Sequence, residues 1–131
     1  MRVSAAAVLA VAGLISVSCG GITDPSKNTV EPFSGTLEVG GRMGHGFTAS
    51  KTGEISVKLT ALAPTSNATV GLLWTQAASD GSCGGILQQG FAQLNVPAIS
   101  GAIISGRYCI IVQDIGFFTV PQTYTISVSH P

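Results

Sequence analysis

Alternation of apolar and polar residues at period two, carried by several short stretches, narrows the folds open to this chain more than any other feature. Glu54-Ile-Ser-Val-Lys-Leu-Thr-Ala61 sets Ile55, Val57, Leu59 and Ala61 on one face and Glu54, Ser56, Lys58 and Thr60 on the other. That is the signature of a strand with one buried and one wet face. The last quarter repeats the pattern twice. Tyr108, Ile110 and Val112 share a face in Ser105–Asp114, with Cys109 on the opposite one. Tyr124, Ile126 and Val128 share a face in Gln122–Pro131, opposite Thr123, Thr125, Ser127 and Ser129. The two stretches read as a closing hairpin, and a half-buried pair needs a second layer to cover it.

Other stretches supply that layer. Phe33–Val39 offers Phe33, Leu37 and Val39 to a core, and Gly40-Gly41 makes a turn before Met43–Ala49. Thr69–Gln76 places Val70, Leu72 and Trp74 on one face. Ala77–Gly85 reads as a loop carrying Cys83, and in Ile86–Val96 the interruption Gln88-Gln89-Gly90 leaves an edge strand or an irregular segment open. Ser100–Ile104 adds another short strand. Beyond the N-terminal segment no stretch has a helical period. Seventeen glycines among abundant Thr, Ser and Val suit short strands with tight turns. The expectation is an all-β antiparallel sandwich of jelly-roll-like type, with seven or eight short strands, over residues 33–131.

The first eighteen residues obey a different logic. One positive charge at Arg2 is followed by an apolar run and then small residues, too short for an ordinary transmembrane helix but fitting a secretory signal. Ser16-Val-Ser-Cys19 resembles the lipobox of bacterial lipoproteins, which implies cleavage after residue 18 and lipidation of Cys19. The family prefers Leu where Ser16 stands, and a plain secretory cut at the same bond is the competing reading. Gly20 stands where that family often carries an inner-membrane retention aspartate, which points to the outer membrane or the periplasmic face. Residues 19–32, rich in Gly, Pro and polar residues, read as a tether, and a flexible coil of that length spans roughly 20 Å.

Phe33-Ser-Gly-Thr-Leu37, the Gly-Gly turn, the strand ending at Phe47, Gly53-Glu-Ile-Ser-Val-Lys-Leu59, Gly106-Arg-Tyr-Cys-Ile-Ile-Val112 and Tyr124-Thr-Ile-Ser-Val128 together resemble a bacterial pre-peptidase C-terminal domain. The resemblance implies a β-sandwich of the kind appended to exported enzymes. It departs at Gly44-His-Gly-Phe47, where that family often has an aspartate before the aromatic, so no calcium or polar role tied to that aspartate carries over.

Three cysteines, Cys19, Cys83 and Cys109, bear on compartment. If Cys19 takes lipid, an even pair remains to form a disulfide in an oxidising space. Two distant cysteines with no Cys-x-x-Cys partner make a poor zinc site, so no metal or cofactor is expected. A net charge of zero argues against nucleic acid. His45 and His130, the only histidines, read as a sheet-surface and a terminal residue, and the carboxylates are scattered. No nucleophile elbow or phosphate loop appears, and Asp114 beside Gly116 reads as a turn-former. Phe117 and Phe118, between the closing strands, are candidate contact residues, with Trp74 a weaker one that its phase assigns to the core. The expected function is a non-enzymatic, lipid-anchored cell-envelope protein whose sandwich mediates structural, adhesive or protein–protein contact, with an envelope protein or a glycan as partner. The alternative is a glycan- or small-ligand-binding module.

Overall fold

The computed structural model describes residues 24–131. The signal segment, Cys19 and the tether up to residue 23 lie outside the described residues. A single 3-10 turn, Pro25–Lys27, opens the described chain, with the Asp24 carboxylate accepting from the Ser26 backbone N–H at 3.0 Å. Eight strands follow: β1 (Thr29–Leu37), β2 (Arg42–Ala49), β3 (Gly53–Ala63), β4 (Val70–Ala77), β5 (Cys83–Ala92), β6 (Pro97–Ile103), β7 (Gly106–Gln113) and β8 (Gln122–His130). They form two four-stranded sheets, ordered β1-β8-β3-β6 and β2-β7-β4-β5, and every pairing is antiparallel. Two packed sheets in this order make an antiparallel β-sandwich of jelly-roll type.

Of consecutive strands, only β4 and β5 are hydrogen-bonded neighbours. The closing strands are therefore not a hairpin. β7 lies inside the second sheet between β2 and β4, and β8 lies inside the first between β1 and β3. Their apolar faces meet across the core, Tyr108, Ile110 and Val112 from one side and Tyr124, Ile126 and Val128 from the other. Period two states that a strand has one buried face. It does not state whether a similar strand lies beside it or opposite it.

Bulges in two strand pairs correct the phase expected from sequence. The β3–β8 register shifts between Leu59 and Ala61, so Leu62 takes the inward position and Ala61 is exposed. The β4–β5 register shifts on both sides of Thr75, which explains why Ile86–Val96 shows no clean alternation. Cys83 is not in a loop but opens β5, opposite Ala77. Strand pairing on the N-terminal side begins at Thr29, inside the stretch read as tether, and the Asn28 side chain donates to the Glu54 carbonyl at 2.9 Å. Leu37 reaches the core as expected, whereas Phe33 is half-buried and Val39 is exposed in the turn after β1.

Candidate functional site

Cys83 and Cys109 form a disulfide. It lies on the outer face of the second sheet and joins edge strand β5 to central strand β7, across β4. A Cβ on Gly44 would meet Cys83 Sγ at 2.9 Å, so the glycine in β2 is what lets the bridge lie flat on the sheet. The carboxylate of Asp114 shapes the loop after β7. Burial alone would raise its pKa, but backbone N–H groups of Gly40, Gly116, Phe118 and Phe117 donate to it and hold it below the usual range. This is the turn-former role expected of Asp114.

That loop separates the two candidate phenylalanines. Phe118 is buried in the core, closing one end of the sandwich, while Phe117 is exposed. Trp74 is buried and packs against Tyr108 with ring centroids 5.8 Å apart. Phe118 is thus a core residue and not a contact residue, and only the rim of Trp74 is open to a surface cleft.

The two long sides of the sandwich differ. On the side where β1 and β2 end their sheets, polar side chains close the gap. His45 Nε2 lies 2.6 Å from the Tyr124 hydroxyl, and the His45 ring stacks on Phe33 at 5.2 Å. One period along, His130 Nε2 lies 2.8 Å from Glu31 Oε1, and the imidazole packs on Phe47 at 4.9 Å. Burial lowers the His45 pKa and raises that of Tyr124. Both groups are pushed toward their neutral forms, the opposite of an activated tyrosinate beside an imidazolium. Sequence reasoning missed these partnerships. His130 is buried, not a free terminal residue, and His45 is half-buried between the sheets. A signal existed, since His45 is in phase with buried Phe47 and Ala49, and His130 with Val128.

On the opposite side, where β5 and β6 end their sheets, a cleft of about 350 Å³ opens between Trp74, Leu87, Ala102, Ile103, Ile104 and Tyr108. No charged residue lines it. The Tyr108 hydroxyl donates to the Ile104 carbonyl at 2.9 Å. Trp74 Nε1 and Gln88 Oε1, on cross-strand partners of β4 and β5, are buried without a hydrogen-bond partner in the protein. The outer face of the first sheet differs again. It is a hydroxyl surface in which Ser34 Oγ and Thr125 Oγ1 lie 2.8 Å apart, joined by Ser127, Ser129, Ser56 and Ser100. Among the described residues no three His, Cys, Asp or Glu side chains gather as metal ligands would. None of the described helices is long and apolar enough to cross a membrane.

No family model matches the chain, and no curated protein matches it. Among solved structures it is similar to the Yersinia pseudotuberculosis-derived mitogen, with a TM-score of 0.57 and 12% identity, over 79% of this chain and 87% of that one. At that identity the likeness is one of fold.

Proposed function

We propose that this chain is an exported cell-envelope protein, anchored by lipid on Cys19, that works by contact through its β-sandwich and not by catalysis. The observation that carries the reading is the Cys83–Cys109 bridge. A disulfide is compatible with an extracytoplasmic location, and it leaves the third cysteine, beside the small residues of a lipobox-like segment, as the acceptor for lipid. Several acyl chains on one cysteine give stable anchoring where a single chain is marginal. The resemblance to pre-peptidase C-terminal domains supports an accessory role within an exported system. The non-catalytic part draws support from the titratable side chains, since His45, His130, Glu31 and Asp114 are engaged in bonds that hold strands and loops together.

Growth with labelled palmitate tests the anchor. Label is expected in the native protein and absent from Cys19→Ser, whereas an unlabelled native protein would leave a secreted domain. The cleft beside Trp74 and Tyr108 favours a second reading, a module for a glycan or a small apolar ligand. Glycan-array binding that is lost on Ile104→Asp would establish it.

A further inference from the structure

Met43 is the one methionine beyond residue 1. In β2 it stands opposite Val112 of β7, and His45, two residues on, stands opposite Ile110. Directly opposed residues point to the same face, and Val112 and Ile110 are in the core. The Met43 and His45 side chains therefore share the inward face of an edge strand.

There they meet β1 and β8. Gly35 of β1 pairs with Tyr124 of β8 and puts no side chain at this edge. A Cβ at Gly35 would stand 2.8 Å from Met43 Sδ and 2.8 Å from the Tyr124 hydroxyl oxygen, so thioether and phenol converge on the hollow the glycine leaves. The same hydroxyl oxygen lies 2.6 Å from His45 Nε2. Sulfur, oxygen and nitrogen donors are thus gathered at one place. Phe33, stacked on the imidazole, fixes the plane of the ring, and Met43 is 38% exposed, so solvent reaches the site. The Glu31 carboxylate on this side of the sandwich is taken by His130.

We propose that Met43 Sδ and His45 Nε2 form a two-ligand site for a soft monovalent cation, Cu(I) or Ag(I). Donor chemistry selects the ion. Thioether and imidazole suit Cu(I), whereas Ca²⁺ and Mg²⁺ want several oxygens and a structural Zn²⁺ wants four ligands. Two donors are enough for a closed-shell monovalent ion that coordinates in a line. The ion takes the Nε2 lone pair, the imidazole keeps its proton on Nδ1, and the Tyr124 hydroxyl gives up its contact with Nε2. The methionine side chain, with three rotatable bonds, swings from the Gly35 hollow to complete the pair. No oxidation state changes, so no co-reactant is needed. The proposal goes beyond the anchoring reading and does not depend on it.

Titration of the full-length exported chain carrying Cys19→Ser with Ag(I), in chloride-free buffer, tests it. With Cys83 and Cys109 bridged that chain has no free thiol, and Ag(I) needs no reductant that could open the bridge. Calorimetry should give one ion per chain, and the Met43 methyl resonance should shift with the same stoichiometry. Met43→Leu, which conserves volume, and His45→Gln should each weaken binding at least tenfold with circular dichroism unchanged. Tyr124→Phe frees Nε2 and should bind at least as tightly as the parent, and His130→Gln should leave affinity unchanged. Zn²⁺ should not move the methyl resonance. A parent chain that binds no Ag(I), or whose methyl resonance stays in place while Ag(I) binds, overturns the proposal whatever the variants do. So does binding that survives Met43→Leu, falls on Tyr124→Phe, or is lost equally on His130→Gln, or a methyl shift with Zn²⁺.

Discussion

The two long sides of this sandwich solve one problem in opposite ways. Where β1 faces β2, the gap between the sheets is closed by side chains that hydrogen-bond across it, His45 to Tyr124 and His130 to Glu31, each imidazole packed on a phenylalanine. Where β5 and β6 end the sheets, the gap stays open as an uncharged cleft, and two buried polar atoms lack partners in the protein. The first side is satisfied by the chain itself. The second leaves apolar side chains such as Leu87 and Ile104 exposed around the cleft. Polar closure on one side and apolar exposure on the other make the two sides chemically distinct.

The largest perturbation of that contrast is loss of the bridge. Cys83→Ser with Cys109→Ser opens a crosslink spanning a sequence separation of 26 and frees the start of β5. In the chain-entropy model this costs about 3–4 kcal/mol, and thermal unfolding should show a midpoint lowered by roughly 15 °C. An unchanged midpoint would mean that β5 is held by pairing with β4 alone.

A matched pair of substitutions compares the sides directly. Tyr124→Phe removes the hydroxyl that partners His45 on the closed side, and Tyr108→Phe removes the hydroxyl that donates to Ile104 on the open side. The first leaves a half-buried ring nitrogen unpaired and should cost about 1–2 kcal/mol in denaturant unfolding. The second frees a carbonyl on an exposed residue, which water can reach, and should cost about 0.5 kcal/mol. Equal costs would erase the proposed difference between the sides.

The smallest effect is in pH. Burial depresses the His45 pKa, so the unfolded chain binds that proton more readily than the folded one. Its contribution is whole above the unfolded value of about 6.5 and is lost as pH falls through the depressed folded value. Urea midpoints should decline as pH falls from about 7 to about 5, and His45→Leu should flatten that decline. A variant with the native slope would remove His45 from the account. Asp114, also depressed, acts in a lower window, below the ordinary carboxylate range, and does not confuse the comparison.

Much of the fold was legible because burial on one face leaves a period in the residues. Ile55, Val57 and Leu59, Val70, Leu72 and Trp74, and the closing Tyr-x-Ile-x-Val stretches are all in the core on the expected faces. Failures cluster where a bulge shifted the period, at Ala61 and along β5, or where a loop folded back, at Phe118. The candidate site was less legible. Phe117 is exposed, but the open cleft draws residues from β4, β5, β6 and β7, and no local pattern announces such a convergence.

By itself the sequence determined that this is a two-faced, all-β chain, which strands have one apolar face, and which cysteines were available to pair. Those properties are local, set by the alternation of side chains along a strand and by residue type. Only the tertiary structure decided that β7 and β8 face each other and do not pair. It likewise decided that His45 and His130 close one side, and that an uncharged cleft beside Trp74 and Tyr108 stays open on the other. Neighbours across a core or around a sheet are chosen by topology, and the period of a strand carries no record of that choice.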